Sequence, residues 1–235
     1  MHIDLNCDLG EGALHDAELM PLITSANIAC GAHAGNLETM TRTLELARLH
    51  GTAVGAHPGY PDPENFGRKE LRLSAYEIGE EVAGQIFILR ELAGLQQMEL
   101  HHIKPHGALY NQAARDPVIA AAIAGAVYKT NPALALYGLA DSELITAGKA
   151  RGLATAREIF ADRRYRPDGS LVPRSQPDAL IEDPAEACAQ TLRLIRSGIA
   201  DTVCLHGDGP HAVEFALALR QALSDAGIEI KRFTP

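Results

Sequence analysis

The run His101-His102-Ile103-Lys104-Pro105-His106-Gly107 gathers three imidazoles and an amine in a segment ill suited to a solvated surface. Side chains alternate faces along a strand, so His102, Lys104 and His106 share one face if the strand runs that far, and His101 turns to the other. Pro105 argues against a helix, so His102 and His106 are not read as a helical metal pair. Lys104 is either a cation for an anionic substrate group or an amine of lowered pKa acting as base or nucleophile, with a snorkelling surface lysine as the bland alternative. His33 and His57 each end an apolar run and each follows a Gly-Ala pair. In that context the backbone can approach a ligand closely, and the imidazole can serve as acid, base or metal ligand.

Asp8 and Glu11 bracket Gly10 on a strand-end turn. Two such carboxylates can divide the roles of base and orienting acceptor, or hold a divalent ion; helix N-capping is the plain reading. His206 and Asp208 share a strand face, and Gly207 and Gly209 beside them suit backbone amides facing an anion, or simply a turn. After Glu158 a long segment carries Asp162, Arg163, Arg164, Arg166 and Arg174. Arginine forks match carboxylate or phosphate, so this segment is read as a clamp on an acidic substrate or as a solvated loop.

The elements that must position these groups alternate along the chain. Apolar runs predict strands at Ile3 to Asp8, Ala26 to Cys30, Ala53 to Ala56, Leu100 to Lys104, Leu134 to Leu139, Thr155 to Phe160 and Thr202 to Leu205, with a further one at Ile228 to Phe233. Helical spacing covers Leu37 to His50, Ala75 to Leu95, Pro117 to Lys129, Ser142 to Arg151, Pro184 to Ser197 and Ala212 to Ala226. Asp116-Pro117, Asp183-Pro184 and Ser74-Ala75-Tyr76-Glu77 mark three helix starts. Alternation of this kind implies a parallel α/β sheet. An open sheet concentrates ligand contacts at one switch point, whereas polar clusters follow six of these strands, which favours a barrel of seven strands rather than eight. Long irregular segments at Pro58 to Leu73 and Ala161 to Asp183 read as lids or binding loops.

With 235 residues, 46% of them apolar, one domain is expected. The net charge of −9 supplies no basic footprint, so neither nucleic acid nor an anionic membrane is an expected partner. Cys7, Cys30, Cys188 and Cys204 form no Cys-x-x-Cys pair; the three in strand-like runs read as reduced, buried packing residues. No secretory leader and no membrane-length apolar run is apparent, and a cytoplasmic protein is expected. A Gly-x4-Gly-Lys-Ser/Thr phosphate loop, a dinucleotide fingerprint, a Gly-x-Ser-x-Gly elbow and a His-Glu-x-x-His motif are all absent.

Several segments, taken in order, resemble the LamB/YcsF family. They are Ile3 to Gly12, Ser25 to Gly35, Gly55-Ala56-His57-Pro58, Asn65-Phe66-Gly67-Arg68, His102 to Asn111, Asp168 to Arg174 and Val203 to Asp208. One local departure is a linker between Arg196 and Thr202 that is shorter than the family pattern. The resemblance implies a distorted seven-stranded TIM-like barrel related to polysaccharide deacetylases. It also implies ATP-dependent hydrolysis of the lactam 5-oxo-L-proline to L-glutamate, performed with two partner subunits. ATP would then be bound largely by those partners. On this reading Asp8, His57, Lys104, His106, His206 and Asp208 are the catalytic candidates, and Glu11, His33, Glu158, Asp162 and Arg174 bind substrate. Two alternatives stand beside it: a stand-alone metal-dependent deacetylase or amidohydrolase with Asp8, His33, His57 and His106 as ligands, and a non-catalytic barrel that regulates or scaffolds its partners.

Overall fold

In a computed structural model, which describes residues 1–207, 209 and 211–234, seven parallel strands close into a ring. They are β1 (His2–Leu9), β2 (Ser25–Ala29), β3 (Ala53–His57), β4 (His102–Ile103), β5 (Ala135–Leu139), β6 (Thr155–Phe160) and β7 (Thr202–His206). Each pairs with its neighbour in sequence, and β7 returns to β1. The predicted final strand contracts to β8 (Glu229–Ile230), which pairs with β1 only at His2 and Ile3, below the ring.

Period-two alternation sorts each strand's side chains between the barrel interior and the helices outside. On β1, Ile3, Leu5, Cys7 and Leu9 pack outward in the main hydrophobic core, while Asp4, Asn6 and Asp8 turn inward into a hydrogen-bonded interior. The outer layer is made of α1 (Asp16–Leu19), α2 (Leu37–His50), α3 (Ala75–Leu95), α4 (Gly107–Arg115), α5 (Pro117–Thr130), α6 (Glu143–Arg151), α7 (Pro184–Arg196) and α8 (Ala212–Asp225). The three anticipated starts hold. Ser74 and Glu77 form a capping box, and Asp116 and Asp183 each accept backbone N–H bonds ahead of a first-turn proline, a contribution of about 1 kcal/mol per cap.

Two expectations need revision. The predicted Leu100 to Lys104 strand shortens to His102–Ile103, because Pro105 has no N–H to continue the ladder. His106 is accordingly the residue before α4 rather than part of a strand. Helix α4 itself went unread: Gly107 opens it at φ +52° and it abuts α5 at Asp116, so no turn signal separates the two.

The two long segments lie at the mouth. The 58–73 loop is tied to α3 through Gln85, whose amide accepts from Gly59 N at 3.0 Å and donates to Gly59 O at 2.8 Å. The 161–183 loop is stapled by the antiparallel bridges Arg163↔Leu180 and Tyr165↔Leu171, and by Gln190 of α7 donating to Arg163 O.

Candidate functional site

The C-terminal ends of the strands surround a cavity of about 1120 Å³. Its floor includes Asp8, His57, Lys104, His106 and His206, and the two mouth loops bring Arg68, Arg163, Arg166 and Arg174 to its walls. The sequence-predicted groups therefore converge from β1, β3, β4, β7 and the loops between them, as barrel mouths are built to do.

At the centre are two imidazoles with fixed protons. His57 Nδ1 donates to Lys104 O at 2.8 Å, and His106 Nε2 donates to Phe66 O at 2.9 Å. Each outward nitrogen faces an acceptor and must carry hydrogen, which turns His57 Nε2 and His106 Nδ1 inward, 2.9 Å apart. Two bare lone pairs cannot sit that close. One shared proton or one metal cation must lie between them. In the metal-free protein it is the proton: burial depresses both imidazoles, yet Asp8 reverses this at His57, whose pKa is raised, while that of His106 stays lowered. His57 Nε2 is 3.3 Å from Asp8 Oδ2, and Glu11 Oε1 is 3.2 Å from His106 Nδ1.

His33 differs from this pair. Its Nε2 lies 3.3 Å from Glu11 Oε1, and its buried Nδ1 has no hydrogen-bond partner. Burial lowers its pKa to about 4, so it is neutral, with its one proton on Nε2 toward Glu11. It also stacks on His106 with ring centroids 3.8 Å apart. Only glycine fits over this stack at position 67, where φ is +63° and a Cβ would come within 2.7 Å of His33 Cβ.

Lys104 is not the open anion receptor, nor the neutral amine, that the sequence allowed. Its Nζ is surrounded by Asp8 Oδ1 at 2.8 Å, Glu158 Oε1 at 2.9 Å, Cys204 Sγ at 3.0 Å and Asn6 Oδ1 at 3.2 Å. Burial alone would lower its pKa, but Asp8, Cys204 and Glu158 outweigh burial and hold it well above the ordinary value. Asp8 stays ionised in turn: burial raises its carboxyl pKa, and His57 and Lys104 pull it well below the usual range.

Two residues expected to meet substrate are engaged elsewhere. Glu158, with no exposed surface, is sealed beneath Lys104 and accepts from Asn6 Nδ2 at 2.9 Å. Asp162 holds the Nδ1–H of His206 with both oxygens, at 2.7 and 2.9 Å. That leaves Nε2 as the available nitrogen of a cavity-lining imidazole, an arrangement suited to proton transfer. Arg174 does line the cavity. Asp208 lies outside the described residues.

Glu11, His33, His57 and His106 can bring one ligand atom each within 4.8 Å of one another, as can Asp8, Cys204 and His206. The second group already has its cation, the Lys104 ammonium. The first fits a divalent ion better. Inward nitrogens of imidazoles whose other N–H is held by a carbonyl are the usual metal-binding form. The carboxylates of Asp8, Glu11 and Glu158 also outnumber the single Lys104 ammonium by two.

Asn6, Asn27 and Cys204 were not anticipated, although the inward phase of β1, β2 and β7 contains the signal: Asn6 sits between Asp4 and Asp8, and Asn27 pairs with Asp8 in register.

The LamB/YcsF family model matches residues 3–235. The chain is 50% identical to the 5-oxoprolinase A subunit of Erwinia tasmaniensis, over 98% of this chain and 99% of that protein. It is 42% identical to a lactam utilization protein of known structure from Thermus thermophilus, with a TM-score of 0.92 over 99% of this chain and 100% of that one. The catalytic domain of a peptidoglycan N-acetylglucosamine deacetylase from Eubacterium rectale shares the fold at 12% identity, with a TM-score of 0.57 over 99% of this chain and 88% of that one. A closed barrel with this mouth, together with a family match over almost its whole length, makes the chain a member of the LamB/YcsF family.

Proposed function

We propose that the chain is the A component of an ATP-dependent 5-oxoprolinase, opening the lactam of 5-oxo-L-proline to L-glutamate together with two partner subunits. The observation that carries the reading is 50% identity, over nearly the full length of both chains, to a protein of that name. The mouth supplies chemistry of the right kind. A lactam is a poor electrophile whose opening needs a positioned water and a proton for the departing nitrogen, the tasks of a base and an acid on opposite sides of one cavity.

Asp8 and the His57–His106 pair orient and deprotonate water, with Lys104 holding Asp8 in place. His206, oriented by Asp162, delivers the proton to the leaving nitrogen. The substrate carboxylate meets Arg174 and the other cavity arginines. ATP is handled largely by the partners, in keeping with the absence of a phosphate loop from this sequence. Glu11, His57 and His106, with Asp8 beside them, would hold a divalent ion, which when bound would polarise a carbonyl or acidify water.

The test is glutamate formation from 5-oxoproline and ATP by this chain with and without its partner subunits. Turnover only in the full assembly is expected; an assembled complex that leaves 5-oxoproline intact rejects the assignment. The donor set also favours a second reading, a stand-alone metal-dependent amidohydrolase or deacetylase. Metal-dependent release of acetate or amine by the chain alone would support that reading.

A further inference from the structure

His102 has no exposed surface and no part in the chemistry above, yet its contacts determine how Asp8 is presented. The directions of the interior hydrogen bonds can be deduced from their charged ends. An ionised carboxylate only accepts and an ammonium only donates. Asn27 approaches Asp8 Oδ1 at 2.8 Å through Nδ2, and the same nitrogen donates to Asn6 Oδ1 at 2.7 Å. Asn6 Oδ1 must accept, because it also faces Lys104 Nζ. Both amide hydrogens of Asn27 are thereby committed toward the mouth, and its Oδ1 is left facing His102 Nε2 at 2.7 Å. That nitrogen must therefore be the donor.

The ring cannot turn away. It stacks on Tyr137 with centroids 4.2 Å apart, and on its other side it fills the space left by Gly55, where a Cβ would come within 2.3 Å of the ring.

We propose that His102, as its Nε2–H tautomer, is a positioning residue: by holding Asn27 Oδ1 it keeps both Asn27 hydrogens on Asn6 and Asp8, which fixes Asp8 Oδ1 beside Lys104 and Oδ2 beside His57. Without that donor the Asn27 amide is free to flip, placing an oxygen against the Asp8 carboxylate, and Asp8 loses its orientation. The catalytic consequence rests on the proposed lactam chemistry, whereas the tautomer does not.

Two measurements test this. In ¹⁵N-edited imidazole spectra of the full-length protein, His102 is expected as the neutral Nε2–H form; an Nδ1–H or doubly protonated ring overturns the inference whether or not the protein is active. In the reconstituted complex, His102→Leu is expected to lower kcat by about 10- to 100-fold with KM within about threefold, the range seen when a supporting partner of a reacting group is removed. His102→Gln, which can place an amide N–H near the position of Nε2, is expected to recover most of that loss. Equal activity of the Leu and Gln variants, at either level, overturns the positioning role. Should His102→Leu not fold, the Gln variant and the tautomer decide: near-native kcat with the Nε2–H form in the native protein supports the inference, and failure of either opposes it.

Discussion

Replacing Lys104 with methionine keeps nearly all of the side-chain volume and removes only the charge and its hydrogens, so its effect isolates the electrostatic design of the barrel interior. The ammonium serves four acceptors, two of them carboxylates, in a position with 1% exposure. In the variant Asp8 retains Asn27 and His57, but Glu158 Oε1 retains only Asn6. Removing one partner of a buried ion pair costs about 3–5 kcal/mol, and at about 2–4 °C per kcal/mol for a chain of this size the melting temperature should fall by about 6–20 °C at neutral pH. The pH dependence provides a second signature. Burial pushes the Asp8 carboxyl up, and in the native protein His57 and Lys104 more than reverse this. Native Asp8 therefore contributes stability that is present above the unfolded carboxylate range and is lost as pH falls through its depressed folded value. Without Lys104 the folded value rises and the variant regains stability by protonation, so the gap between the proteins should narrow as pH falls from about 7.5 toward about 5. Thermal unfolding by circular dichroism across that range measures both effects. A loss under about 2 °C, or a gap independent of pH, would refute the reasoning.

Other consequences follow from the same geometry. Elemental analysis after zinc or manganese loading should find about one divalent ion per chain, weakened by 10-fold or more in His57→Ala and His106→Ala; equal binding by these variants removes the metal reading. Asp162→Asn should lower kcat in the assembled complex by about 10²-fold or more with little change in KM, because His206 loses the acceptor that orients its proton, and an unchanged kcat excludes His206 as the acid. Arg174→Ala should raise KM by about 10-fold or more with a smaller change in kcat, as expected for a charge-assisted bond to a carboxylate; steady-state kinetics showing a purely kcat effect would place Arg174 elsewhere.

The barrel was legible because its alternation is regular and its helix starts carry strong capping residues: Leu37–His50 and Ala75–Leu95 appear with the predicted limits. Helix α4 was not legible, since Gly107 and the adjoining Asp116-Pro117 start blur its edges. At the site, the glycine-flanked polar clusters correctly pointed to the mouth. The partners of each group were another matter. Whether Lys104 is open or satisfied depends on Glu158 and Cys204, which arrive from β6 and β7 far along the chain. Likewise, Asp162 has the sequence context of a substrate ligand, and only the fold sets His206 against it. Sequence spacing reports which residues reach a strand end, but cross-strand register decides which of them meet.

The central claim is that lactam opening occurs at the Asp8, His57 and His106 cluster of this chain. The most direct measurement is the rate of glutamate formation by the reconstituted complex carrying Asp8→Asn, a near-isosteric change, with assembly checked by size-exclusion chromatography. The account predicts an intact complex whose kcat is reduced by about 10²-fold or more. An intact complex with native kcat would contradict it.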